Sequence, residues 1–122
     1  MHELALTLDK EKLLVTRADG VAMESACAGG SRAFSAAELL GASLGSCIAA
    51  SLRPLLARHG ADCGRLRVTV RLRDDALEQG FAVAIALPPV NAALDVRCRR
   101  AVAACPVIRA MNLPIDIHWQ DC

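Results

Sequence analysis

The sequence predicts an α+β fold in which antiparallel sheet packs on one long central helix. Three observations carry this expectation. "RLRVTVRLR" sets Leu66, Val68, Val70 and Leu72 on one side and Arg65, Arg67, Arg71 and Arg73 on the other, the two-residue period of a half-buried strand. "LLGASLGSCIAASL", Leu39 to Leu52, is long enough for a helix and apolar nearly all round. The order of elements is three strands, a long helix, two strands, a helix and a strand, which is a segregated rather than an alternating pattern.

Taken from the start, "ELALTLD" (Glu3 to Asp9) alternates apolar and polar residues and reads as a strand. "DKEK" is a charged turn, and "LLVTRADGVAMESA" reads as two more strands around Asp19-Gly20. After a loop with Gly29-Gly30, Ser35 and Glu38 form a capping-box pattern that opens the long helix, and Gly60 after His59 is its stop. Pro54 is expected to kink this helix or to start a second segment. Gly41 and Gly45 lower helical propensity by ~1 kcal/mol each, which suggests a groove where another helix approaches closely. "RLRVTVRLR" and "FAVAIAL" are joined by the turn "DDALEQG"; in the second strand Phe81, Val83, Ile85 and Leu87 share a face and alanines take the other. Asn91 can cap a second helix whose stripe is Leu94, Cys98, Ala101, Val102 and Cys105, and "LPIDIHW" is the last strand.

With 122 residues, a single domain over 1–122 is expected. The composition is 54% hydrophobic but only 2% aromatic, so aliphatic side chains must carry the core. So apolar a small chain is expected to hide surface against a second copy, which makes a homodimer the first guess. A net charge of +1 gives no electrostatic reason to expect nucleic acid or a membrane as partner. No stretch has the ~18 uninterrupted apolar residues of a membrane span. Twelve Arg stand against two Lys, a balance suited to bidentate contacts with carboxylates or phosphates. "MHELALTLDKEK" does not read as a signal peptide, so a cytoplasmic location with reduced thiols is expected.

Six cysteines are present: Cys27, Cys47, Cys63, Cys98, Cys105 and Cys122. None pairs as C-x-x-C, and His2, His59 and His118 show no ligand spacing, so neither a metal nor another cofactor is expected. Cys105 precedes Pro106, which favours the first position of a helix. Cys105 is then either the N-cap of a short helix, where amide N–H groups favour a thiolate, or a buried core residue on the Leu94 stripe. Cys47 lies twelve residues into its helix, where no free N–H reaches it. It is either a space-filling thiol or one that needs a nearby cation to ionise. Cys27, Cys63, Cys98 and Cys122 read as structural.

"SAAELLGASLGSCIAASLRPLLARHG" followed by "LRVTVRL", and then "AVAACPV" some sixty residues after the first cysteine, resembles the OsmC/Ohr family of osmotically inducible and organic hydroperoxide resistance proteins. The resemblance covers roughly Phe34 to Trp119. It implies an intertwined homodimer with long helices at its centre and active sites at the subunit interface. It implies thiol-dependent reduction of organic hydroperoxides, with Cys47 as the peroxidatic cysteine and Cys105 as the resolving one. A dithiol reductant, lipoyl-type in one branch, would return the pair to thiols. Two positions depart from the family pattern. Ala37 stands ten residues before Cys47, where the hydroperoxide-resistance branch has glutamate. The first hairpin turn carries Lys10 and Lys12 where the family has its active-site arginine, with Arg17 and Arg32 as other candidates. Glu38 is nine residues before Cys47, on the opposite side of an ideal helix, and is expected to serve the cap. These departures motivate the alternative reading, a non-catalytic dimeric binding module for a small apolar or thiol-bearing ligand.

Overall fold

The computed structural model describes residues 3–9, 12–26, 34–72 and 80–121, which fall into two compact units, Met1–Leu40 and Gly41–Cys122. In the first unit β1 (Leu4–Asp9), β2 (Lys12–Arg17) and β3 (Ala22–Ala26) form an antiparallel sheet in that order. The register sets Leu6 opposite Val15 and Val15 opposite Met23. Because directly opposed residues share a face, Leu4, Leu6, Leu8, Val15 and Met23 line one side of this sheet. Much of that side is open: Leu4, Leu6 and Leu8 are 56%, 61% and 64% exposed.

The β2–β3 turn forms at the expected Asp19-Gly20. Gly20 has φ +91°, a conformation glycine adopts without strain, and its N–H donates to the Arg17 carbonyl at 3.0 Å. Asp19 accepts from the Arg17 side chain and from the Val21 N–H, which holds its carboxyl below the usual range. Arg17 therefore serves a surface turn.

Helix α1 (Ala36–Arg58) begins in the first unit and continues through the second. Its capping box forms as expected: the Glu38 N–H donates to Ser35 Oγ at 3.1 Å and the Ser35 N–H to Glu38 Oε1 at 3.0 Å. It ends in a Schellman motif, with Gly60 at φ +72°, the Ala61 N–H on the Leu56 carbonyl and the Gly60 N–H on the Ala57 carbonyl. The second segment expected at Pro54 does not form, and the helix runs unbroken. Pro54 and Ala50 are both exposed, so the carbonyl that loses its donor lies where solvent can replace it.

In the second unit, α1 is followed by a single 3₁₀ turn (Cys63–Arg65), β4 (Arg67–Leu72), β5 (Phe81–Leu87), α2 (Ala92–Ala103), α3 (Pro106–Ala110) and β6 (Ile115–Asp121). The sheet order is β4-β5-β6. β4 and β5 are antiparallel, whereas β5 and β6 are parallel, with Val83 opposite Ile117. A parallel pair needs a crossover of a dozen or more residues, and α2 with α3 provides it. Phe81, Val83, Ile85 and Leu87 are buried on the β5 face predicted from the alternation. They pack in one core with Leu44, Ile48, Leu52 and Leu56 of α1 and Leu94, Cys98 and Val102 of α2.

The two glycines of α1 are used differently from the expectation. A Cβ on Gly41 would lie 3.2 Å from Leu72 Cδ1 and 3.4 Å from Phe81 Cε1, and one on Gly45 would lie 3.2 Å from Val70 Cγ2. The element that approaches is the β4–β5 sheet, not a helix: the β-branched and leucine side chains of β4 reach into the gap the glycines leave. By length and composition alone α1 could cross a membrane, with a mean hydropathy of 1.4; its buried stripe instead lies in this core, although only 28% of that apolar stretch is buried.

Candidate active site

Both singled-out cysteines lie in the second unit, and the fold brings them together: Cys47 and Cys105 are joined by a disulfide, with Cα atoms 6.5 Å apart across a sequence separation of 58. The Cα distance is within the ordinary range for such a bond. Two local features place the sulfurs. Cys47 is half-buried on α1 between Leu44 and Ile48, both fully buried, so it sits where the apolar stripe meets the open side of the helix. Cys105 follows the end of α2, where the Ala104 N–H donates to the Arg100 carbonyl and the Cys105 N–H to the Val102 carbonyl. Pro106 then opens α3, with Cys105 as its N-cap and its carbonyl accepting from the Arg109 N–H. Both positions read for Cys105 are found: it is the N-cap residue, and at 1% exposure it is also core. Its sulfur makes no capping hydrogen bond.

The other thiols are placed apart from this pair. Cys98 is buried on the α2 stripe, and burial, then the charge of Asp95, pushes its thiol up. Cys63 donates its S–H to the Arg53 carbonyl at 3.5 Å. Cys27 and Cys122 lie outside the described residues. So do Lys10, Arg32 and the side chain of Lys12, three of the four cation candidates; the fourth, Arg17, is paired with Asp19. Glu38 is committed to the cap, where the Ser35 N–H and hydroxyl hold its carboxyl below the usual range. His59 contacts Arg97, Nε2 to Nη1 at 3.0 Å, and His118 is exposed on β6. Among the described residues no three His, Cys, Asp or Glu side chains gather as a metal site.

One feature beside the disulfide was not singled out from the sequence. A groove of about 460 Å³ between α1 and α2 is lined by Ser51, Leu55 and Arg58 from α1 and by Arg97, Arg100 and Ala101 from α2. Ser51 lies one helical turn after Cys47 and donates its hydroxyl to the Cys47 carbonyl at 2.9 Å; Ala101 lies one turn before Cys105. The signal in the sequence was the spacing of Arg97 and Arg100, three apart on one helix face, in a chain that prefers arginine to lysine.

A family model described as OsmC-like protein matches residues 29–120. A comparison with curated proteins finds no match. Among solved structures, a protein of Psychrobacter arcticus 273-4 named for osmotic stress induction and a detoxification response superposes with a TM-score of 0.77 at 18% identity, covering 100% of this chain and 96% of that one. The organic hydroperoxide resistance protein OhrB of Bacillus subtilis superposes with a TM-score of 0.60 at 15% identity, covering 100% and 98%. An organic hydroperoxide resistance protein of Elizabethkingia anophelis, bound to thiocyanate, gives 0.63 at 14%, covering 100% and 96%. At these identities the likeness is one of fold.

Proposed function

The chain belongs to the OsmC-like protein family, and on that premise we propose that it is a thiol-dependent peroxidase that reduces organic hydroperoxides through Cys47 and Cys105. The observation that carries the reading is the bond between a half-buried and a fully buried cysteine. The Cys47 thiolate attacks the distal oxygen of the hydroperoxide, the O–O bond breaks, and the alkoxide leaves as the alcohol after taking up a proton. Cys47 is left as a sulfenic acid. The Cys105 thiol displaces hydroxide from that sulfur, which departs as water, and the disulfide forms. A dithiol reductant then attacks the disulfide, leaving as its own cyclic disulfide and restoring both thiols. Exposure supports this division of roles: Cys47 is half-buried, while Cys105 is 1% exposed.

A homodimer belongs to the same reading. The open leucine face of β1 and the uncovered apolar side of α1 are surfaces a second copy would cover. So does a cytoplasmic setting, where reductant keeps the thiols available.

The test is turnover of cumene or t-butyl hydroperoxide with a dithiol. One equivalent of peroxide should consume both thiols together. Cys47→Ser should abolish turnover, and Cys105→Ser should leave Cys47 oxidised as a monothiol. A Cys47→Ser protein that consumes peroxide at the wild-type rate refutes the mechanism. The alternative, a non-catalytic dimeric binding module, draws on Ala37 at the family glutamate position and on the commitment of Glu38 to the cap. It predicts slow, unsaturable oxidation in the same assay.

A further inference from the structure

We propose that the pocket at the carboxyl ends of β5 and β6 binds a small, uncharged planar ring with adjacent carbonyl and N–H groups, apart from the cysteine pair. The topology puts a crevice there. β5 and β6 run parallel, with Ile85 opposite Trp119 and Ala86 opposite Gln120, so both strands end at the same edge. At that edge the chain leaves β5 through Pro88 and Pro89 and enters α2. In sheets with helical crossovers, the space beyond the carboxyl ends of parallel strands is where ligands are commonly held. Here it is a pocket of about 390 Å³, within the range of small-molecule sites, and Asp95, Arg99, Trp119 and Gln120 line it. Neither Cys47 nor Cys105 does. Cys105 lies past the other end of α2, about 15 Å along the helix axis from Asp95. The proposal therefore does not depend on the peroxidase reading.

The Arg99 guanidinium is already set in place. Its Nε donates to Asp95 Oδ2 at 2.9 Å, and its central carbon lies 4.8 Å from the centre of the Trp119 ring. The bond commits Nε, so the Nη groups are the donors left to a ligand. Asp95 and Arg99 are the charged groups of the lining, and they are paired with each other. An anion drawn to Arg99 meets the charge of Asp95, and a cation drawn to Asp95 meets that of Arg99, so a neutral ligand is favoured over either ion. Arg99 can only donate and the Asp95 carboxylate can only accept. A neutral ligand that satisfies both needs an acceptor beside a donor, which a ring amide supplies, and the Gln120 amide can serve as either. The rest of the lining asks for a flat apolar body. Pro88 and Pro89 have no N–H and a fixed φ, so with Leu87 and Val90 they make a preset apolar wall. The indole and the guanidinium over it are planar, and planar groups stack best with another ring.

Trp119 is the one tryptophan of the chain, so the full-length protein labelled with nitrogen isotope gives a single indole N–H resonance, and that resonance reports on this pocket. The probes are uracil, dimethyluracil methylated on both nitrogens, and orotate. The second keeps the ring and carbonyls but has no N–H; the third adds a negative charge to the same ring. Uracil should move the indole resonance saturably and bind about tenfold tighter than dimethyluracil, the effect of one lost hydrogen bond to a charged group, and tighter than orotate. Arg99→Lys, at an exposed position of α2, keeps the charge but not the planar fork, and should weaken uracil about tenfold. A resonance that none of the probes moves, as when a second copy covers the pocket, overturns the site. Equal binding of uracil and dimethyluracil, or unchanged uracil affinity in the folded variant, overturns the roles of Asp95 and Arg99. Tighter binding of orotate overturns the neutral class. The wild-type comparisons decide even if the variant does not fold. They need no turnover, so they stand whether or not the protein is a peroxidase.

Discussion

Reducing the Cys47–Cys105 bond should lower the stability of the fold by an amount that the topology sets. The bond closes a loop across a separation of 58 residues. For a loop of that length the chain-entropy expression gives about 4 kcal/mol at 25 °C, because the cross-link removes that much freedom from the unfolded chain. Spread over the unfolding entropy of a chain of 122 residues, about 4 kcal/mol corresponds to a fall of about 15 °C in Tm. The measurement is thermal unfolding followed by circular dichroism, on oxidised protein and on protein held in excess phosphine. Protomer concentration must be matched, since association would also move Tm. A Cys47→Ala/Cys105→Ala variant should melt with the reduced protein. One equivalent of cumene hydroperoxide, added to reduced protein, should restore the upper transition. Oxidised and reduced samples that melt within about 4 °C of each other, about 1 kcal/mol, would refute the reasoning: the pair would then not be closing this loop in the folded protein.

Two further outcomes test the local readings. Gly80→Ala should destabilise by about 2–5 kcal/mol, read as a loss in urea midpoint, because Gly80 has φ +78° and a Cβ there would lie 1.8 Å from the Pro114 carbonyl oxygen; that carbonyl already accepts the Phe81 N–H at 2.9 Å. The Glu38 carboxyl is lowered by the Ser35 N–H and hydroxyl, so its share of stability is present above the unfolded carboxylate range and lost as pH falls through the folded value. Unfolding followed from pH 6 to pH 3 should therefore show a steeper decline for wild type than for Ser35→Ala/Glu38→Gln, and parallel curves would dispose of the cap.

The regular elements were legible because their periods are short. The two-residue alternation of β5 is reproduced residue for residue, Phe81, Val83, Ile85 and Leu87 buried and the alanines between them less so. The caps at Ser35, Asn91 and Gly60 were legible because each is a local bargain between a side chain or a glycine and the next few amides. What covers Gly41 and Gly45 was not legible. Small residues announce a close approach without naming the partner, and β4 lies more than twenty residues away along the chain. The same holds for the arginine groove: Arg58 and Arg97 are ordinary surface residues until α2 is laid beside α1. The meeting of Cys47 with Cys105 stood between these cases. Composition and spacing left each thiol with two roles, and the pairing came only from the family resemblance. Pro54 left a kink and a second segment both open, and α1, continuous through it, excludes only the second.

The placement of the two other described thiols, Cys63 and Cys98, bears on how the proposed disulfide cycle could run without their interference. Exchange requires a thiolate with a path to the bond. Cys98 is near in sequence to Cys105 and lies on the same buried stripe, yet burial and the charge of Asp95 both favour its neutral form. Cys63 follows the far end of α1, with its S–H turned to the carbonyls of Arg53 and Ala61. Cys98 is therefore not presented to the Cys47–Cys105 bond as an ionised nucleophile. An external dithiol is under no such restriction at Cys47, the half-buried member of the pair, and attack there expels Cys105 as the leaving thiolate into the position it held before oxidation. In the proposed cycle, the asymmetry in exposure that would admit the peroxide to one sulfur would also direct the reductant to the same sulfur, so that oxidation and recovery would use a single entrance.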